Sequence, residues 1–358
     1  MGLLFSKSVS LVGLDISSTA VKLLELSQST KKGKPHYKVE SYLIEDLPSD
    51  AISDKHIENV EAVNAVIVKA VAKARLRSKH VAIAMPRSEV VTRVIQIVEG
   101  LPESEIEITV RDEAEQYIPY SMDDVSLDYA IIGPNENNTD EVDVQFAAAK
   151  TESVDNRLIA ATIDALTVKV VDVEEFALEN AFALLIEQSE DINDGDIVAL
   201  IDIGATSITY SVLQDKKIIY TREQAFGGVQ LTEHIVSQYG LEFDTAERAK
   251  RNPEELPDGY QDEVLMPFMV NIAEEVQRAE QYYYSSGSQG TINYTILTGG
   301  CAKIDKLDDV IQQQIGGSVR VARLFDEMSV GRRIKKNQLL QDAPALMIAC
   351  GLALRSFD

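Results

Sequence analysis

Leu11–Thr19 reads LVGLDISST and Val198–Thr206 reads VALIDIGAT. One offset, the 187 residues from Asp15 to Asp202, also lays Ile16 on Ile203 and Thr19 on Thr206. In each copy an apolar run ends in Asp, a small-residue turn follows (Ser17-Ser18; Gly204-Ala205), and polar and apolar residues then alternate from Thr19 and Thr206. That pattern predicts two β-hairpins. Small turn residues let backbone N–H groups approach a phosphate, and an Asp at the strand end can face a hydrated divalent cation. An ordinary surface turn would account for either copy alone. Two copies in register point instead to a duplicated fold whose turns clamp a polyphosphate between them. Ile296–Ala302 (ILTGGCA) adds a strand followed by Gly299 and Gly300, where a planar ring could lie against bare backbone.

Composition narrows the function classes. The 358 residues suffice for two or three domains. With 58 acidic against 34 basic residues, the formal charge is −24, which argues against nucleic acid as a partner. Cys301 and Cys350 lie far apart, and His36, His56, His80 and His234 show no ligand spacing, so a reducing cytoplasm fits and a structural zinc does not. The longest apolar run, Ala345–Leu354, is about half the ~18–20 residues a membrane helix needs. No secretory signal pattern is present, and Met1–Ser6 is expected to be an apolar tail packing on the body or on a partner. With no basic amphipathic stretch in view, membrane association is expected only through protein.

Along the chain, Tyr37–Leu43 and Val81–Met85 are expected as strands flanking a helix over Asn59–Arg75. Residues 86–165 read as a small α/β module of their own. Its strands are Val90–Val98 and Val142–Ala149, and its helices run from Pro102 toward Tyr117 and over Glu152–Ala165. The first lobe is then 1–85 plus 166–197, with Val168–Val173 resuming its sheet and Glu174–Gln188 its helix. The second lobe is 198–358, whose C-terminal helix, Leu339–Leu354, is free to pack back on the first. Helices are also expected over Val229–Tyr239, Asp244–Arg251, Asp262–Ser285 and Asp305–Ile315, and Pro344 is expected as a boundary within Leu339–Leu354.

Duplicated Asp-hairpins followed by a strand–Gly-Gly turn resemble the actin-like ATPase fold, an α/β architecture of two ribonuclease H-like lobes. An extra subdomain in the first half narrows this to bacterial proteins of the FtsA and PilM kind. Gly13–Lys22, Tyr117–Tyr120 (YIPY), Val171–Glu174 (VDVE) and Ala225–Gly228 (AFGG) most closely resemble the PilM family of type IV pilus assembly, over essentially the whole chain.

That resemblance implies ATP with Mg2+ as cofactors. Asp15, Ser17 and Ser18 would form one phosphate loop, and Asp202, Gly204, Ala205 and Thr206 the other. Asp15 and Asp202 would hold Mg2+ through water. Gly228, Gly299 and Gly300 would face the nucleotide, while Glu247, Lys250 and Glu275 would wall the ribose and base; for Glu247 and Lys250 the bland alternative is a solvated helix with an i,i+3 pair. Glu174 stands where a general base is wanted, yet Glu at a strand-to-helix boundary is also an ordinary helix N-terminal charge. Nucleotide binding is therefore expected, with hydrolysis weak or absent. The resemblance further implies a partner, the cytoplasmic N-terminal peptide of PilN, with pilus motor ATPases as further partners and a location at the inner membrane face. Val90–Val98 and Tyr117–Tyr120 are expected to wall the peptide groove, or else to be module core. A sugar-kinase-like phosphotransferase, with Asp202 as base, or a filament-forming cytoskeletal ATPase would use the same two hairpins.

Overall fold

The computed structural model describes residues 10–357 apart from 32, 136, 190, 288 and 289, so the apolar start lies outside the described residues. The first hairpin forms as β1 (Leu11–Ile16) and β2 (Ala20–Lys31), and β3 (Lys34–Asp46) extends it into an antiparallel meander. A two-by-two-residue hairpin, β4 (Ile52–Ser53) and β5 (His56–Ile57), then turns through Asp54 and Lys55 at φ 46° and 68°. Helix α1 (Val60–Ala74) starts where the Asn59 side chain accepts from the Ala62 N–H at 3.0 Å, and it buries Val63, Ile67 and Ala70. Strand β6 (His80–Met85) lies parallel to β1.

The next segment carries its own three-stranded sheet. It contains β7 (Val90–Val98), α2 (Glu103–Glu115), β8 (Val125–Pro134) and β9 (Glu141–Lys150), in the order β7-β9-β8. Helix α2 covers one face, setting Ile106, Val110 and Ala114 against Ile95, Ile97, Val144 and Phe146. Two strands were expected here. The additional one, β8, is an edge strand with Ser126 and Asp128 among its residues and Gly133-Pro134 at its end, so apolar alternation is weak over it. Helix α3 (Thr151–Ala161) buries Ala160 and Ala161 in the cluster that also holds α1 and β1.

Strand β10 (Thr167–Val173) completes the first sheet beside β6, and α4 (Glu174–Gln188) leaves its end. The second half repeats the plan with the meander β11 (Ile197–Ile203), β12 (Ile208–Gln214) and β13 (Lys217–Gln224). Helices α5 (Gly228–Tyr239) and α6 (Phe243–Arg251) follow. A π-helical turn over Gln261–Leu265 then leads into α7 (Met266–Ser285), and β14 (Tyr294–Thr298), α8 (Leu307–Ile315) and β15 (Val319–Val321) come next. The two sheets have matching orders, β3-β2-β1-β6-β10 and β13-β12-β11-β14-β15, so the sequence repeat is a repeat of topology.

The chain then returns to the first sheet. Strand β16 (Ser329–Val330) pairs parallel with β3, and α9 (Lys336–Asp342) precedes a 3-10 turn over Ala343–Leu346, where Pro344 divides the Leu339–Leu354 stretch as expected. Helix α10 (Met347–Leu354) is wedged between β1 and α4. Backbone meets backbone on both sides: a Cβ on Gly13 would overlap the Ala349 carbonyl oxygen, and one on Gly351 that of Ala177. On its other side α4 sets Leu178, Phe182 and Leu185 against Val198, Leu200 and Ile296 of the second sheet, in one cluster with Ala349 and Ala353. Gly351→Ala should therefore lower stability by about 1–3 kcal/mol through overpacking. Urea unfolding checks this, and an unchanged midpoint would contradict the close approach.

Candidate functional site

The two hairpin turns face one another. Ser18 Oγ lies 3.2 Å from Thr206 Oγ1, so equivalent turns from the two halves touch across the cleft. Ser17 uses its hydroxyl and its N–H on the Ala20 carbonyl, at 2.9 and 3.0 Å, which fixes the first turn. In the second, the Gly204 N–H donates to Ser207 O at 2.9 Å. The start of α5 backs it, with the Gly228 and Val229 N–H groups donating to Gly204 and Ala205 carbonyls at 3.0 and 2.8 Å. Cys301 Sγ donates to the same Gly204 oxygen at 3.3 Å; burial pushes its thiol up to about 11.

Behind the turns lies a set of buried charges. Asp15, only 2% exposed, accepts from Lys22 Nζ at 2.9 Å, its register partner on β2. Burial alone would lower the Lys22 ammonium, but Asp15, with Asp202 and Glu174 beyond it, raises it overall. Lys55, from the β4–β5 turn, reaches Glu223 of β13 at 2.6 Å and Glu174 at 3.9 Å, joining the two halves. Arg251 of α6 makes a second cross-cleft pair with Asp46 at 2.5 Å. Arg157 of α3, 2% exposed, donates to the Ile16 and Lys55 carbonyls at 3.3 and 2.8 Å and so anchors both segments. Burial raises the Asp202 carboxyl, with Lys22 and Lys55 opposing and Asp15 and Glu223 adding. Burial likewise pushes Glu174 up to about 7, against the pull of Lys55 and Arg157.

Gly299 closes the floor at φ +88°, and a Cβ there would overlap Asp202 Oδ1 and the Ile203 carbonyl. The same construction at Gly300 meets nothing within 4 Å, so that position opens on free space. To one side Glu247 accepts from Lys250 at 2.6 Å and from Thr232 at 2.5 Å, while Lys250 also donates to Gly228 O at 3.1 Å. The bland i,i+3 pair is thus built into a network against α5. Lys250 leads the groups that hold the Glu247 carboxyl low despite its burial.

Asp15, Ser18, Asp202, Gly204, Ala205, Thr206, Glu174, Gly228 and Gly299 therefore share one cleft, with Gly300, Glu247 and Lys250 at its margin. Glu275 stands apart: it pairs with Arg278 at 3.0 Å on α7 and makes no side-chain hydrogen bond or ion pair with the other candidates among the described residues. Lys22, Lys55, Arg157 and Glu223 were not anticipated. Lys22 could have been found, since it lies opposite Asp15 in the hairpin register. Lys55, Arg157 and Glu223 come from three separate elements with no motif. No group of three or more His, Cys, Asp or Glu among the described residues is arranged to hold a metal directly.

Glu174 gives a test by itself. Between about 4.5 and about 7 the native carboxyl is protonated while the unfolded one is ionised, so its contribution to stability falls as pH rises through that window. Glu174→Gln lacks this loss. Relative to the parent, the ligand-free variant should gain on the order of 1–3 kcal/mol between pH 5 and pH 8. Denaturant unfolding at both pH values measures it, and parallel pH profiles would show that the proton is held elsewhere.

Comparison with known proteins points one way. Residues 13–357 match the family model described as Type IV pilus assembly protein PilM. A chain of a PilM-PilN type IV pilus biogenesis complex is 27% identical, over 98% of this chain and 99% of its own, with a TM-score of 0.79. The ethanolamine utilization protein EutJ from Carboxydothermus hydrogenoformans is 16% identical, over 96% of this chain and 89% of its own, with a TM-score of 0.53. At that identity the EutJ likeness is one of fold alone. With the duplicated sheets, these likenesses make the fold the two-lobed actin-like one.

Proposed function

The chain belongs to the PilM family of type IV pilus assembly proteins, and from that membership and the geometry of the cleft we propose that it is an ATP-binding scaffold rather than a fast ATPase. The observation that carries the reading is the 3.2 Å approach of Ser18 and Thr206, which brings two phosphate-sized turns together in front of Asp15 and Asp202. Polyphosphate would part these hydroxyls and take their hydrogen bonds along with turn N–H groups. The carboxylates would hold Mg2+ through its water shell, Lys22 keeping Asp15 in place, and the base would lie over Gly300 beside Glu247 and Lys250. Burial pushes the Glu174 carboxyl up to about 7 even with Lys55 at 3.9 Å, which suits a general base. Weak or absent turnover is proposed because Lys55 pairs with that carboxylate and competes with water for it. In this reading Glu275 contributes no direct ligand contact.

The partner is proposed as the cytoplasmic N-terminal peptide of a PilN protein, since the 27%-identical chain is part of a PilM-PilN complex. Through it the chain would sit on the cytoplasmic face of the inner membrane and connect the assembly platform to the pilus motor. Residues 86–165, taken as the inserted subdomain, would offer the groove. Val94 and Tyr117 are each 45% exposed, and the Arg93 guanidinium sits 5.5 Å from the Tyr117 ring centre, whereas Ile95, Ile97 and Ile118 are core. Tyr117 lies on the α2 side, against Arg93 and Phe146, whereas Val94 points to the opposite face of edge strand β7, and an exposed apolar residue on an edge strand suits peptide capture by strand addition.

ATP with Mg2+ should raise the thermal midpoint of the chain, and Gly300→Val should abolish that shift while keeping the parent's circular dichroism, because its side chain enters open space. A folded Gly300→Val variant with a full ATP shift would remove the base from this loop. A synthetic PilN tail should bind at micromolar concentration with weak salt dependence, as burial of apolar side chains requires. Calorimetry that finds no heat or saturation at high micromolar peptide would leave only the nucleotide half standing.

A further inference from the structure

Charge is distributed unevenly over the chain. Ser27–Lys38 contains four lysines and Met328–Gln341 two arginines and two lysines, and neither stretch contains an Asp or Glu. Against a total of −24, these eight cations leave −32 on the remainder. The fold puts the two stretches side by side, since β16 pairs with β3 at Ser329–Lys38 and Val330–Val39. The loop after β16 is held: the Gly331 N–H donates to Val39 O at 2.7 Å, the Ile334 N–H to Gly331 O at 3.0 Å, and Ile334 packs on the core. Arg332, Arg333, Lys335 and Lys336 are all exposed, as are Lys31 and Lys34 at the hairpin tip. Among the described residues the side chains of Arg332, Arg333 and Lys335 make no ion pair or hydrogen bond, in a protein with a large excess of carboxylates. Of the carboxylates around this edge, Glu40 is taken by Lys38 and Arg77 at 2.9 and 3.1 Å, Asp326 by Arg323 at 2.7 Å and Asp342 by Lys303 at 2.5 Å, and Glu327 is exposed at its margin.

We propose that this basic edge of the first sheet is a contact surface for anionic phospholipid. A peptide partner would require pockets for side chains, but the hollow beside the loop is lined by Lys335, Lys336, Asn337, Gln338 and Gln341, all polar. Fixed cations along a protruding sheet edge suit a flat, diffuse negative surface instead. At about 0.1 M salt the Debye length is about 10 Å, so the membrane feels this edge while the carboxylates elsewhere are screened. Net charge alone argues against any membrane affinity of the chain's own. Its distribution reverses that for one orientation. The contact is independent of nucleotide and of the PilN peptide, and would turn a tethered chain so that this edge meets the bilayer.

The test is co-sedimentation of the full chain at about 0.1 M salt with vesicles of phosphatidylglycerol and phosphatidylethanolamine in equal parts, against vesicles of phosphatidylcholine. Binding to the anionic vesicles should exceed that to phosphatidylcholine at least about tenfold and vanish at about 0.5 M salt. Changing Arg332, Arg333, Lys335 and Lys336 together to Ser should bring it to the phosphatidylcholine level with an unchanged thermal midpoint. Neutralising Lys169 and Arg248, exposed elsewhere, should leave it intact. Equal binding to both vesicle types, or full binding by the fourfold variant, overturns the proposal. So does capture of a polyglutamate peptide by the basic edge without vesicle binding, which would assign it to an acidic protein.

Discussion

Everything in the cleft depends on neutralising carboxylates that the fold has taken out of water. Asp15, Glu174, Asp202 and Glu223 converge where the two sheets meet, and Lys22, Lys55 and Arg157 supply the opposing charge. At 4 Å a unit pair attracts by about 4 kcal/mol under the permittivity usual near protein surfaces, and desolvation offsets much of it. The net worth of each pair is therefore small, while loss of one partner is costly. That asymmetry explains why Arg157 is tied to the backbone of two segments at once: a buried guanidinium must have its N–H groups satisfied before it can serve as a counter-charge.

The same centre couples the halves. Lys55–Glu223, Arg251–Asp46 and Ser18–Thr206 all cross the cleft, so the relative position of the sheets is set by polar contacts at its mouth and by apolar packing of α4 and α10 at its base. Polar contacts can be exchanged for those of a ligand at little cost, whereas the packed base cannot move without opening voids. The arrangement is that of a hinge with a stiff root and a labile mouth.

Much of this was legible in the chain because duplication leaves a register. Asp15 and Asp202 and their turns could be placed from the spacing of the repeat, whereas Gly299-Gly300 took its meaning from the family resemblance. The ends of α4 were visible because Glu174 follows a β-branched run and Gln188 ends an apolar one. Lys55 could not be read: its turn geometry depends on a six-residue hairpin too short for any period, and its partners lie far along the chain. Glu275 is less legible: on a long charged helix, the resemblance gives it a place in the nucleotide wall and ordinary helix chemistry gives it a pair with Arg278, and the Arg278 pair is the contact present. The basic edge escaped notice because composition averages over the chain and β16 is only two residues long.

Helix α10 has a temporal consequence. It covers Gly13 and the rest of β1, yet lies more than 330 residues later in the sequence, and β16 likewise adds the last strand to a sheet begun by Leu11. During synthesis the first sheet is made early and then waits, its α10 side uncovered, until residues more than 330 positions later have left the ribosome. Closing so long a loop is slow, and an uncovered apolar sheet face is open to misassembly in the interval. The two lobes therefore mature together, once α10 has emerged to cover β1, instead of one after the other.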